Sequence, residues 1–469
     1  MQTAPHPVTP EEVLARADAL RRTFRTSFRD QVVEGIYSQA QTLADRSVSR
    51  DHGKKWDLDQ RIDRIVTSPW WGLPIMMVLL TAVLWITIIG ANFFSDLLFT
   101  ALFKVEDWGV GLFNLFSAPW WLTGFVWHGV YRGLAWVVSV MLPPMAIFFP
   151  IFTILEDLGY LPRIAFNLDW MFRKVGAHGK QSLTMAMGFG CNAAGVVATR
   201  IIDSPRERLI AILTNNFVPC NGRWPTLIML ATIFVAAQFP PMVASLAAAG
   251  TLLGVVLIGI VFTFITSAVL TRTLLKGAAS AFSLELPPYR RPSILRTLYT
   301  SLIDRTLFVL MRAMATAAPA GAVIWLLANV KLGGQSLAAW GVEGLNPFGH
   351  ALGLDGAVLL AYIVAIPANE IVVPTLMMIY AKTGMMMDEN GYEAIRHLLV
   401  DQNGWTLLTA VSLMLFSLLH NPCGTTILTI WKETKSMRWT LLGTFIPLGI
   451  AFAVCFAVAN IARLFGAAG

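Results

Sequence analysis

The sequence predicts an all-α polytopic membrane protein with about eight transmembrane helices, arranged as two pseudo-repeated gate halves that contain broken or re-entrant helices. Three observations lead there. Of the 469 residues, 56% are hydrophobic and only 13% are charged, against about 25% charged in an ordinary soluble domain. Apolar runs approach, again and again, the ~20 residues that a helix needs to cross a bilayer. Glycine, proline and asparagine cluster within some of these runs, where they interrupt helical hydrogen bonding or bring polar groups that need partners.

The elements follow in order. Residues 1–68 carry eleven Lys/Arg and ten Asp/Glu and no long apolar run. Loosely helical spacing over Val32–Val48 and Leu58–Ile65 predicts a cytoplasmic helical N-terminal segment, without the pattern of a cleavable signal peptide. Residues 69–271 form the first gate half, with spans over Trp70–Phe94, Tyr131–Leu155, Leu227–Ala249 and Leu252–Leu274. Residues 272–304 form a basic connection with Arg272, Lys276, Arg290, Arg291 and Arg296, which the positive-inside rule assigns to the cytoplasm. Residues 305–469 form the second half, with spans over Thr306–Asn329, Ala357–Tyr380, Trp405–Leu419 and Trp439–Ile461. The stretch 330–356 has Lys331 as its one basic residue and reads as external. The same rule puts the N-terminus inside and Gly469 outside. The net charge of +7 then reflects topology, and no nucleic-acid partner is expected.

Two segments concentrate the chemistry: Gly188-Phe189-Gly190-Cys191-Asn192 and Asn215-Asn216-Phe217-Val218-Pro219-Cys220-Asn221-Gly222-Arg223. Gly188, Gly190 and Pro219 free backbone carbonyls, Asn192, Asn216 and Asn221 add polar groups, and a cysteine sulfur is a ligand for soft or borderline metals. A weak echo follows 203 residues later, where Asn421-Pro422-Cys423-Gly424 repeats the Pro-Cys element of Cys220. Upstream of it, Ile366-Pro367-Ala368-Asn369-Glu370 parallels the Gly188–Asn192 interruption. Paired interruptions in corresponding halves point to a transporter with its site at the repeat interface. Glu370, set between apolar residues, is a site candidate because an intramembrane carboxylate is costly unless partnered. The metal candidates are therefore Cys191, Cys220, Cys423 and Glu370, with Asn369 and Asn421 as further gate-lining residues. Cys455, in a plain apolar run, reads as core. Glu156, Asp157, Arg163 and Asp169 end the second long apolar run and read as an inner mouth. Gly176–Ser182 imitates a phosphate loop, yet the glycine spacing is wrong and Gln181 follows Lys180, so no nucleotide-hydrolysis site is expected.

Together these motifs resemble the membrane domain of the ferrous-iron transporter B (FeoB) family. The resemblance runs from about Asp57 to Arg463. It is carried by Leu158–Phe166 with Asp169, Gly188–Asn192, Ala198-Thr199-Arg200, and Pro219-Cys220 with Arg223 and Pro225. In the second half it rests on Glu370, Asn421-Pro422-Cys423, Lys432-Glu433-Thr434 and Trp439. It implies a bacterial inner-membrane Fe²⁺ importer whose gate cysteines correspond to Cys191, Cys220 and Cys423, and whose membrane glutamate corresponds to Glu370. Family members usually carry an N-terminal GTPase domain. Residues 1–68 are too short for one, so either a separately encoded GTPase or small cytoplasmic accessory protein is the partner, or the chain moves its substrate without one; homo-oligomerisation is a further expectation. Asn192-Ala193-Ala194-Gly195 stands where the family commonly has Asn-Val-Pro-Ala. No permanently bound cofactor is expected, and Fe²⁺ is the expected cargo. A carrier of another ion or a nucleoside, or a non-transporting membrane scaffold, are the alternatives.

Overall fold

A computed structural model describes residues 28–47, 54–68, 70–177, 179–276, 289–290, 292–384, 386 and 392–466, with Val13 and Arg16. Two charge-rich helices, α1 (Phe28–Ser47) and α2 (Lys54–Val66), precede α3 (Gly72–Leu115). At 44 residues, α3 would extend ~66 Å, far beyond a hydrocarbon core. A π-helical stretch, Gly124–Tyr131, runs directly into α4 (Arg132–Asp157). Short helices then follow: α5 (Tyr160–Lys174), α6 (Gln181–Gly190), α7 (Asn192–Ala198), α8 (Pro205–Thr214) and α9 (Trp224–Leu230). The long α10 (Pro241–Arg272) comes next. It is followed by α11 (Phe308–Asn329), α12 (Leu337–Ala351), α13 (Gly356–Val364), α14 (Val372–Ala381), α15 (Leu407–Leu419), α16 (Gly424–Thr434) and α17 (Met437–Leu464). A two-residue antiparallel ribbon, Lys331–Leu332 against Gln335–Ser336, is a small exception to the all-α expectation.

Among the described residues, five segments are long and apolar enough to cross a membrane: Trp120–Asp157, Val243–Arg272, Val309–Asn329, Leu407–Thr434 and Met437–Leu464. A sixth is reached if α12 and α13, bent by 111°, count as one broken span. The protein is therefore an all-α polytopic membrane protein with at least one broken or re-entrant pair. Burial separates central from peripheral helices. The most apolar window of Leu407–Thr434 is 67% buried and that of Trp120–Asp157 is 56% buried, against 22% for Met437–Leu464. The first two form the interior, with α4 packed against α3 and α11, while α17 leaves most of its apolar window unburied.

The helix boundary between the third and fourth expected spans differs from expectation. Leu227–Ala249 and Leu252–Leu274 do not form separate helices divided near Gly250. The division falls at Pro240-Pro241, and α10 continues through Gly250. Two successive prolines lack the donors a helix interior needs, whereas a lone glycine costs only about 1 kcal/mol. The expected span Ala357–Tyr380 is likewise divided, into α13, a 3₁₀ turn at Asn369–Ile371 and α14.

Candidate functional site: four helix breaks around one buried polar core

Each predicted interruption is a real break. Cys191 is extended (φ −154°, ψ 125°) between α6 and α7. Asn215–Phe217 forms a 3₁₀ turn after α8, and the chain passes through an extended Cys220 (φ −85°, ψ 171°) before a second 3₁₀ turn at Asn221–Arg223. Ala368 is extended before the Asn369–Ile371 turn. His420 and Cys423 are extended between α15 and α16.

Side chains and backbone sew the breaks together. Asn215 Nδ2 donates to the Asn192 carbonyl (3.0 Å), joining the first break to the second. Asn216 Nδ2 donates to the His420 carbonyl (2.6 Å), joining the second to the fourth. The Gly424 amide donates to the Ile366 carbonyl (2.6 Å), joining the fourth to the third. The His420 ring also lies 3.4 Å from the Asn369 carboxamide, while its other nitrogen meets the Ser417 carbonyl at 2.9 Å. A break exposes carbonyls and amides that cannot be left bare inside a bilayer, so each segment satisfies its neighbour.

Arg223 occupies the centre of this arrangement at 1% exposure. Its Nη1 donates to the carbonyls of Asn216 (2.7 Å) and Leu418 (2.9 Å). Its Nη2 donates to Asn216 Oδ1 (3.0 Å) and the His420 carbonyl (3.2 Å). Among the described residues no carboxylate pairs with it, and its Nε has no hydrogen-bond partner. The negative ends of interrupted helices supply the counter-field instead. Sequence reasoning noted Arg223 as a motif marker and missed it as a site residue. The available signal was an arginine inside a membrane segment directly after Pro-Cys-Asn-Gly.

The predicted ligands gather in the same region. Cys191 and Cys220 are each 7% exposed, and Glu370 is 8% exposed. Cys191 lies within electrostatic range of both Cys220 and Cys423, and Glu370 within range of both Cys220 and Cys423. Gly222 makes room for the carboxylate, since a Cβ there would collide with Glu370 Oε1. Cys423 Sγ sits 3.3 Å from Thr426 Oγ1. Among the described residues no three of His, Cys, Asp and Glu form a group able to hold a metal ion. Gly195 has its own local reason: a Cβ would come within 2.6 Å of the Asn215 carboxamide, the group that ties Asn192 down. Cys455 is fully buried and meets the Ser412 carbonyl at 3.4 Å, as expected of a core cysteine.

The inner-mouth candidates divide. Glu156 lines a cavity of about 650 Å³ with Met187, Ala194, Arg200 and Lys432. Asp157 accepts from Thr297 Oγ1 (2.7 Å). Arg163 and Asp169 do not line that cavity. Arg163 holds Asp63 of α2 with two bonds (3.0 and 3.1 Å) and faces the Tyr289 ring at 4.1 Å. Asp169 pairs with Arg173 (2.6 Å) and accepts from the Gly179 amide (3.0 Å). Outside the spans, burial and then the bond to Asp63 push the Tyr289 phenol up to about 12.

Comparison with known proteins adds an independent line. Residues 138–234 match the family model described as "Nucleoside recognition" (Gate), and residues 252–304 match "Ferrous iron transport protein B C terminus". The first match encloses Cys191, Cys220 and Arg223. A curated Fe(2+) transporter FeoB from Staphylococcus aureus (strain COL) is 29% identical, over 94% of this chain and 66% of its own length. The chain is similar to the gate and C-terminal membrane region of the FeoB family. A second FeoB, from Staphylococcus aureus (strain MSSA476), is 30% identical over 91% of this chain and 62% of its own length. A FeoA/FeoB fusion protein from Porphyromonas gingivalis is 25% identical over 96% of this chain and 54% of its own. The chain thus spans between 54% and 66% of these relatives. Within the 469 residues the matching models are the gate and the FeoB C terminus, with no GTPase or ATPase model beside them. Glu370 and Cys423 lie beyond both matched stretches of the FeoB region. No solved structure matches the chain.

Proposed function

We propose that this chain forms the pathway of a divalent transition-metal transporter, with Fe²⁺ taken up across a bacterial inner membrane. One observation carries the reading: helix breaks far apart in sequence bring Cys191, Cys220, Cys423 and Glu370 into one buried polar region. The names of the relatives, Fe(2+) transporter FeoB, favour iron as the cargo. In this mechanism hydrated Fe²⁺ exchanges water for thiolate, carbonyl and carboxylate oxygen ligands at the breaks. Glu370 supplies negative charge beside Cys220, and the ion leaves past Glu156. Ligation has to be strong enough to strip water and weak enough to release the ion.

The finer organisation belongs to the same proposal. Eight crossings in two halves, 69–271 and 305–469, flank the basic connection 272–304, with residues 1–68 in the cytoplasm. A GTPase acting from the cytoplasmic side, a small accessory protein and self-association are the partners this arrangement can accept.

Anaerobic uptake into sealed proteoliposomes tests the reading, comparing Fe²⁺, Mn²⁺, Zn²⁺ and a nucleoside, with and without GTP and a partner GTPase. Fe²⁺ flux should fall at least about tenfold in a Cys191→Ser/Cys220→Ser double variant, the scale on which lost metal contacts act. Equal flux in the folded double variant would remove the cysteines from the path. Nucleoside flux without metal flux would replace the cargo.

A further inference from the structure

The cavity of about 650 Å³ beside the gate is lined by Lys180, Arg200, Arg312 and Lys432, against the carboxylates of Glu156 and Glu433. Met187 and Ala194, which flank the Cys191 break, also line it, as does Thr429 of α16. Two of the four cations are engaged. Arg200 holds Glu433 with two bonds (2.9 and 2.6 Å), and Lys180 meets Asp203 at 2.8 Å. Among the described residues the side chains of Arg312 and Lys432 have no ion pair or hydrogen bond. Arg312 is half-buried near the start of the apolar helix α11. A guanidinium so placed is costly without a partner, and it faces a cavity of the size that small ligands fill.

We propose that this cavity binds a small multivalent oxyanion of the phosphate or carboxylate class, with Arg312 and Lys432 as its charged contacts. Its use rests on the metal-transport reading. A dication leaving the gate would meet four positive side chains and two negative ones, an unfavourable field in a partly desolvated cavity. A bound oxyanion reverses that field and offers hard oxygen ligands to the departing ion. Anion occupancy would then promote release, and the gate would deliver its ion to an anion.

The test uses the full chain in zwitterionic lipid nanodiscs without metal, titrated calorimetrically with inorganic pyrophosphate and with citrate. Saturable binding is expected. It should weaken at least about tenfold in Arg312→Gln/Lys432→Gln, since each charge-assisted contact is worth about that factor. Binding should be largely restored in Arg312→Lys/Lys432→Arg. Glu433→Gln, which removes a negative wall group, should tighten it and serves as an independent check if the double variant fails to fold. Repeating the titration with anionic lipid separates the sources. Tenfold competition by anionic lipid in the unmodified chain assigns the site to a headgroup oxyanion, and unchanged affinity assigns it to a free solute. No saturable binding, or equal affinity in the unmodified chain and the folded double variant, overturns the proposal. Because no metal is present, such a failure leaves the cysteine-dependent flux to its own test.

Discussion

A guanidinium that donates to Asn216 on its own side of one break and to Leu418 and His420 across another ties the Asn215–Arg223 segment to the break between α15 and α16. Hydrogen bonds to a charged group contribute about 1.5–3 kcal/mol each, and a buried carbonyl deprived of its donor adds its own penalty. Arg223→Met should therefore destabilise the protein by about 3 kcal/mol or more, read as a shift in denaturant or thermal unfolding in detergent. Arg223→Lys keeps the charge without the fork and should fall between. A loss below about 1 kcal/mol would contradict the tie. Two glycines make a matched pair. Gly222→Ala places a methyl against Glu370 and should cost about 1–3 kcal/mol, with a fall in metal flux. Gly250→Ala has nothing within 4 Å of the new carbon and should be neutral or stabilising by up to about 1 kcal/mol.

At the scale of elements, the clasp of Asp63, Arg163 and Tyr289 joins α2, α5 and the basic connection. Tyr289 Oη donates to Asp63 Oδ1 at 2.9 Å, a bond that only the neutral phenol can make. With its folded value at about 12, above the ordinary tyrosine value of 10.0, this tyrosine contributes stability that is present below pH 10 and lost as pH rises through 12. Phenolate absorbance should show a late-titrating tyrosine that disappears in Tyr289→Phe and shifts down in Asp63→Asn. An unchanged titration in both variants would dissolve the clasp. Elements also mark what was legible beforehand. All four breaks could be read in advance because Gly188-Phe189-Gly190, Pro219, Pro367 and Pro422 stand beside polar Asn residues, whereas Pro143, Pro144 and Pro150, without such neighbours, lie inside the continuous α4. Their pairing could not be read. The Asn215–Asn192 and Gly424–Ile366 bonds depend on how helices return through space, which no local pattern encodes. The boundary of α10 was misplaced for a local reason: Gly250 looked like an interruption, while Pro240-Pro241 is the stronger stop. Arg223 stayed hidden because, apart from Asn216 Oδ1, its partners are backbone carbonyls, which leave no mark in side-chain identity.

For the whole molecule, charge asymmetry predicts which side each connection occupies. The ribbon at 331–336 is exposed and holds Lys331 as its single basic residue, so it should lie outside. Gln335→Cys should react with a membrane-impermeant maleimide in intact cells, whereas Lys435→Cys, next to Lys432 and Arg438, should react only after lysis. The reverse pattern would invert the topology. Burial gives a second expectation at this scale. The most apolar window of α17 is only 22% buried and Phe445 is exposed, so apolar replacements such as Phe445→Leu should change unfolding by less than about 0.5 kcal/mol. The polar core of breaks tolerates no such freedom.

Arg223 also has a consequence for biosynthesis. Its partner Leu418 emerges from the ribosome 195 residues later, an interval of roughly 10–40 s at bacterial elongation rates. Until then the guanidinium has only Asn216 among these partners, and the carbonyls of Leu418 and His420 are missing. A chain stopped shortly before residue 400 would present a half-satisfied arginine to the membrane quality-control proteases, and complete synthesis becomes the condition for a fully bonded core of breaks.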